Sequence, residues 1–344
     1  MRDIREITIE QISTWVAEQG EPAFRGKQIA ESLWKRGVRS FDEMSNLSLS
    51  SRKKLHESFS FKTATIEHES RSKDQTAKFL FSLHDKKKVE GVLIPSRERV
   101  TACISSQVGC PLGCRFCATG NMGFTRNLQS HEIFDQYLLM NQKSREYFGH
   151  DLSNLVFMGM GEPLLNYEAV MGAIHYLTAP RGIGLSHSRI TLSTVGIVKE
   201  IYRLADENFR AGLAVSLHSA DERIRQHLIP ASKTNPLPEL QTALQYYVQK
   251  TNARITFEYV LLHQVNDSLQ DAAKLAHFCK SFPVKINILE YNETGSLFKS
   301  SPKHKRDDFL NFLMDKNLIV QSRRKKGEDI DAACGQLATR ETEK

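Results

Sequence analysis

The sequence predicts an α/β protein: a partial (β/α)6 barrel preceded by a small helical N-terminal domain and a connecting β-hairpin. Three observations lead there. From about residue 101 onward, strand-like runs alternate with helix-like stretches through six units, the rhythm of parallel strands joined by crossover helices. Eight units close a full barrel, so six leave a wide lateral mouth. Ahead of them, apolar residues recur first at helical intervals and then in two short strand-like runs. Finally, the distinctive polar motifs fall at or just beyond the carboxyl ends of the strand candidates, where ligands gather in such folds.

Taken in order, residues 1–75 hold Ile4, Ile7, Ile9, Ile12, Trp15 and Val16, then Phe24, Ile29, Leu33 and Trp34, spaced as on helices. Gly20, Pro22 and Gly37 break this run into short helices. Residues 76–100 form the hairpin linker. Its sequence TAKFLFSLHDKKKVEGVLIP reads as two strands around a charged turn at 85–88, which brings Glu90 to the edge of the next region. The barrel, residues 101–321, has strand candidates at 102–107, 155–160, 189–194, 212–217, 254–261 and 284–289. Helices are expected at 130–145, 167–177, 238–249 and 268–282. A basic tail, residues 322–344, carries the last cysteine, Cys334.

At 344 residues the chain has room for a large core and an accessory domain. Hydrophobic content of 40% and charged content of 25% are those of a soluble protein. The start, MRDIREITIE, has no apolar signal core, and no run of about 18 apolar residues follows, so a cytoplasmic location without a membrane partner is expected. Net charge of +7 points to an anionic partner. Between residues 299 and 326 nine Lys/Arg stand against three Asp, a cluster that fits either nucleic-acid contact or a solvated surface.

Four of the six cysteines lie between Cys103 and Cys117, too crowded for a disulfide framework and more in keeping with metal or redox chemistry. Cys110-x3-Cys114-x2-Cys117 lacks a fourth ligand at similar spacing, so a closed structural zinc site fits poorly and an open iron site fits better. Phe116 would shield such a site from water. The strand ends add Gly159-Met160-Gly161-Glu162-Pro163, Ser193-Thr194-Val195-Gly196, Ser216-Leu217-His218 and Glu290-Tyr291-Asn292. Each alone is ordinary turn chemistry; their convergence is the signal. Three-cysteine ligation of a 4Fe–4S cluster leaves one iron free to take the amine and carboxylate of a small molecule, as in radical S-adenosylmethionine (SAM) enzymes.

Over nearly its whole length the chain resembles the RlmN/Cfr family of radical-SAM RNA adenine methyltransferases. The resemblance rests on CISSQVGCPLGCRFCATGNMGF, MGMGEPLLN, ITLSTVG, SLHS, KINILEYN and DIDAACGQL. It implies that Cys110, Cys114 and Cys117 ligate the cluster, and that Gly161, Glu162, Ser193, Ser216, Leu217, His218 and Asn292 contact SAM. It implies further that Cys334 is the methylated cysteine, Cys103 its disulfide-forming redox partner and Glu90 an acid/base carboxylate; without it, Glu90 reads equally as a solvated hairpin carboxylate. Cys279 is read as a thiol buried in a helix.

In the implied reaction Cys334, as thiolate, takes a methyl group from one SAM, and a second SAM provides the radical that activates that methyl toward carbon 2 of adenine. Such a step favours surroundings that stabilise the Cys334 anion. The implied partners are 23S rRNA in its peptidyl-transferase region, tRNA beside the anticodon, and an electron donor of the flavodoxin type. Pro163-Leu164-Leu165 favours the carbon-2 type over the Cfr type acting at carbon 8, where Ala-Leu-Ala is typical. Pro230-Ala231-Ser232 departs from a frequent Pro-Ile-Asn. From a different class, a noncatalytic zinc-stabilised RNA-binding protein would use the three cysteines and one histidine.

Overall fold

The computed structural model describes residues 1–323 and 325–339. Thr8 opens α1 (Ile9–Glu18) with a capping box: its hydroxyl accepts from Gln11 N–H while the Gln11 side chain accepts from Thr8 N–H. After the Gly20–Pro22 break come α2 (Phe24–Trp34) and α3 (Leu49–Ser58), the latter capped by Ser48. Ile12 and Val16 of α1 and Ile29 and Leu33 of α2 are buried, so the helical spacing seen in the sequence marks the packed faces.

The chain then enters one sheet. Strands β1 (Thr65–Arg71), β2 (Ala77–Ser82), β3 (Lys88–Ser96) and β4 (Arg99–Cys103) run as an antiparallel meander. A two-stranded ribbon follows, β5 (Gln107–Gly109) with β6 (Phe124–Asn127), enclosing the cysteine loop and the short α4 (Ala118–Asn121). Then α5 (Ser130–Phe148), β7 (Asn154–Phe157), α6 (Tyr167–Thr178), β8 (Ile190–Thr194), α7 (Val198–Asp206) and β9 (Gly212–Ser216) alternate. They continue through α8 (Glu222–Leu228), α9 (Leu237–Thr251), β10 (Ile255–Leu261), α10 (Leu269–Cys279), β11 (Val284–Glu290), α11 (Lys303–Asp315) and β12 (Ile319–Arg323). The strand order is β1-β2-β3-β4-β7-β8-β9-β10-β11-β12, parallel from β4 to β12, and the sheet does not close.

All six expected barrel strands are present, as is the hairpin. Two further strands of this sheet lie where the sequence shows no alternation. β1, TIEHESR, falls inside the stretch read as helical; as an edge strand it pairs on one side only and keeps polar side chains. β12, IVQSR, is the opposite edge and is also largely exposed. The first barrel strand is displaced as well: it ends at Cys103, not at 107. Residues beyond it turn aside, Ser106 N–H donating to the Met160 carbonyl at 2.8 Å, and this frees Gln107 to start the ribbon.

Two features of register position the site. Lys78 lies opposite Val92, Val92 opposite Cys103, and Leu80 opposite Glu90, so alternation puts Lys78, Glu90 and Cys103 on one face. Farther along, Ser216, Glu258, Asn287 and Gln321 form a polar row across β9 to β12. No helix among the described residues is long and apolar enough to cross a membrane.

Candidate active site

The cysteine loop is held at both ends. Cys110 N–H donates to the Gly123 carbonyl at 2.9 Å, Arg115 N–H to the Leu228 carbonyl of α8 at 3.0 Å, and Cys117 N–H to the Cys114 carbonyl at 3.1 Å. Cys110 and Cys114 are buried and Cys117 half-buried. Burial, then the charge of Glu162 and of Cys117, pushes the Cys110 thiol up to about 12; Cys114 is raised well above its ordinary value by burial and by Cys117 and Cys110. The three sulfurs therefore sense one another. Yet no group of three His, Cys, Asp or Glu side chains among the described residues is arranged to grip a single metal ion. A multi-iron cluster asks for something else, one thiolate on each of three irons.

Around this loop stand the strand ends. Gly161 has φ +100°, and a Cβ there would lie 2.5 Å from Gln107 Cβ, so only glycine lets the end of β7 approach β5 this closely. Gln107 Oε1 accepts from Glu162 N–H at 2.8 Å. The Glu162 carboxylate accepts from Leu164 N–H at 3.0 Å and Val195 N–H at 2.9 Å; burial outweighs these bonds and raises it to about 7. Ser193 and Ser216 are half-buried on one face of the sheet, and Leu217 is fully buried.

His218 adopts φ +55°, its Nδ1 accepting from Val260 N–H at 3.0 Å and its carbonyl from Asn266 Nδ2 at 2.6 Å. Burial, then the charge of Arg225, lowers it to about 3, so it is a neutral imidazole with the proton on Nε2. Phe116 meets it edge-on at 4.7 Å. Asn292 donates Nδ2 to the Cys334 carbonyl at 3.1 Å, while its buried Oδ1 has no partner.

The tail returns across these residues. Ala118 N–H donates to the Gly335 carbonyl at 2.7 Å, Thr119 Oγ1 to the Leu337 carbonyl at 2.6 Å and Gln336 Nε2 to the Glu293 carbonyl at 3.1 Å. Cys334 is reached by solvent yet crowded by protein, and that crowding raises its pKa against the opposing charge of Arg323. This corrects the expectation of surroundings that favour the anion: desolvation, helped by Glu258 and Cys117, outweighs the one guanidinium. Cys103 is buried, and the charge of Cys334 contributes to raising it, so two thiols far apart in sequence are neighbours. The disulfide implied between them is not formed; all six cysteines are free. Cys279 is buried in α10.

Glu90 is 2% exposed rather than solvated. Its Oε2 accepts from Ala338 N–H at 2.9 Å, its Oε1 lies 3.5 Å from Lys78 Nζ, and its carbonyl accepts from Ser105 Oγ at 2.6 Å. With Lys78, Glu293, Asp331 and Gln336 it lines a cavity of about 120 Å³. Sequence reasoning missed Lys78, whose signal was a lone lysine in the apolar run AKFLF. It also missed Arg225, fully buried, which donates to the Val195 carbonyl at 2.5 Å and the Asn235 carbonyl at 3.2 Å. Nothing in RIRQHL distinguishes that arginine from a surface one. Of the basic cluster, Lys305 pairs with Asp267, Arg306 with Glu290, Lys325 with Glu328 and Lys326 with Asp74; Arg324 lies outside the described residues.

A model of the radical SAM superfamily matches residues 104–276, and one of the ribosomal RNA large subunit methyltransferase N-terminal domain matches residues 2–60. A probable dual-specificity RNA methyltransferase RlmN of Christiangramia forsetii is 45% identical, covering 98% of this chain and 97% of that protein. The chain belongs to the RlmN family of radical-SAM RNA methyltransferases. The protein of the same description from Cytophaga hutchinsonii is 47% identical over 98% of this chain and 93% of its own length. The crystal structure of a radical SAM methyltransferase from Sphaerobacter thermophilus superposes with a TM-score of 0.92 at 36% identity, covering 98% and 99% of the two chains. The family's cofactors are a 4Fe–4S cluster and SAM. The three mutually close thiols fit the first, and the unpartnered Asn292 Oδ1 beside them suits a ligand that brings a hydrogen-bond donor.

Proposed function

We propose that this chain methylates carbon 2 of adenosine in the peptidyl-transferase region of 23S rRNA and beside the anticodon of tRNA, by way of a methylated Cys334. The observation that carries this reading is that Cys334, from the tail, lies near both Cys103 and Cys117, with Glu90 on the same face of the sheet as Cys103. Relatives named dual-specificity RNA methyltransferases, and Pro163-Leu164-Leu165 in this chain, support the carbon-2 and two-substrate assignment.

In this reading Cys110, Cys114 and Cys117 hold the cluster, and Gly161, Glu162, Ser193, Ser216, Leu217, His218 and Asn292 hold SAM. When bound, these groups supply the methyl and the one-electron chemistry. Cys334 takes up the methyl and then bonds through it to the adenine. Glu90 accepts the proton from carbon 2. Cys103, as thiolate, attacks the Cys334 sulfur: the S–S bond forms, the S–C bond breaks with its electron pair on carbon, and that carbon takes a proton to become the product methyl. The adenosine must be unstacked to reach these groups, and the open side of the sheet gives it room. The helical N-terminal unit and the basic segment 299–326 are assigned to RNA, a flavodoxin-type donor to electron supply, and the cytoplasm to location.

Cys103→Ala is expected to accumulate a covalent protein–RNA species on denaturing gels, and Cys334→Ala to form none. Equal turnover in either variant would remove the two-cysteine scheme. Mass mapping of the methyl to carbon 8 would overturn the position, and a colourless, zinc-loaded protein after anaerobic purification would overturn the chemistry.

A further inference from the structure

Lys78 is a buried lysine whose ammonium has two neighbours. It lies 3.5 Å from Glu90 Oε1, and it donates to the Asp331 carbonyl at 3.4 Å. Both side chains of the pair are almost sealed from solvent, 7% and 2% exposed. Around the cavity they share, the other ionisable side chains among the described residues are Glu293 and Asp331, so among these residues Lys78 is the cation facing Glu90. A carboxylate in such a place is costly to keep charged without a counterion.

The two oxygens of Glu90 are thus held from opposite sides. Ala338 N–H takes Oε2 at 2.9 Å, and Lys78 takes Oε1. The same lysine holds the tail at Asp331, three residues before Cys334. Resting on the reading of Glu90 as the base that accepts the carbon-2 proton, we propose that Lys78 is a positioning residue of this site. Its ammonium pairs with the Glu90 carboxylate, holds it aimed into the cavity and, through the Asp331 carbonyl, ties it to the segment bearing Cys334. Lys78 itself makes and breaks no bond. Its contribution is to set base and methyl-bearing sulfur in one frame, and misplacement of either costs on the order of 100-fold in rate.

The test follows the decay of the covalent protein–RNA species in a single turnover of the cluster-loaded enzyme with a tRNA anticodon stem–loop. In Lys78→Met the species should decay about 100-fold more slowly, because the carboxylate is no longer held in place. Lys78→Arg should restore the rate. Lys78→Gln should also slow the decay while retaining a donor for the Asp331 carbonyl, so that trypsin cleaves its tail after Lys325 or Lys326 no faster than in the parent; in Lys78→Met that cleavage should quicken. Iron content checks that each variant is folded and loaded, and Lys78→Gln stands in should Lys78→Met fail to load. Decay at the parental rate in Lys78→Met or Lys78→Gln, while Glu90→Gln fails to resolve the species, overturns the role of Lys78 alone. Normal resolution by Glu90→Gln overturns the reading of Glu90 and this proposal with it.

Discussion

Two places in this molecule bury several charged groups, and they treat them in opposite ways. At the joint between the N-terminal unit and the barrel, Arg5 donates to Asp3 at 3.0 Å and 3.1 Å and to Asp135 of α5 at 2.6 Å. Ala64 N–H takes the other oxygen of Asp135 at 3.0 Å, and Lys62 N–H shares Asp3 Oδ2 with Arg5. Beside them Trp34 stacks on Tyr176 at 3.5 Å. His131 Nε2 is the one side-chain atom of this group left without a hydrogen bond. At the candidate site, by contrast, Glu258 Oε2, Asn287 Oδ1 and Asn292 Oδ1 have no hydrogen-bond partner among the described residues, and the hydrogen bonds of Arg225 go to carbonyls. A satisfied buried network locks two parts together; an unsatisfied one is shaped for something that arrives later.

The largest expected separation of the two regions comes from the cysteines. Cys114→Ser should lose essentially all bound iron, read by absorbance and metal analysis, while the unfolding midpoint of the apoprotein stays put because the joint is untouched. Arg5→Met is the converse. It strands two buried carboxylates and should cost about 3–5 kcal/mol in urea unfolding, with the iron content of the folded fraction unchanged.

Acidity should pull the two regions apart next. Burial raises Glu162 from 4.5 to about 7, so the stability it contributes is fully present below 4.5 and is lost as pH rises through 7. For the apoprotein that loss is roughly 3 kcal/mol, and Glu162→Gln should flatten it. Burial alone would raise Asp3, but Arg5 outweighs it and Asp3 is lowered, so its contribution is present above 3.8 and lost as pH falls. A pH series of unfolding midpoints in Glu162→Gln and Asp3→Asn should show these opposite limbs. The smallest effect belongs to the tail. Neutralising Lys325 and Lys326 should reduce the salt slope of RNA binding by less than about one per residue, because Glu328 and Asp74 already hold them at 2.7 Å and 3.5 Å.

What the sequence disclosed follows from what periodicity and spacing can encode. Buried parallel strands such as ITFEYVL and VKINILE are apolar enough to stand out, and three cysteines at fixed spacing announce themselves. β1 and β12 did not, because an edge strand needs no buried face. The neighbours of Cys334 were equally hidden: Arg323 and Glu258 come from different strands, and whether burial or charge prevails at a thiol is decided only when they meet. Lys78 and Arg225 escaped for the same reason, since a lysine on a strand and an arginine on a short helix acquire meaning from what lies across from them.

The open sheet has one more consequence. Its two edges, β1 and β12, never pair, but Gly327 N–H donates to Asp74 Oδ2 at 3.2 Å and Lys73 N–H to Asp329 Oδ2 at 3.2 Å, both at the turn joining β1 to β2. The chain leaving one rim is buttoned to the other by a few bonds near solvent. The barrel is therefore a hoop with a clasp, and the clasp is the same short length of backbone that bears Cys334. The joining of the two rims and the position of that sulfur thus depend on the same backbone.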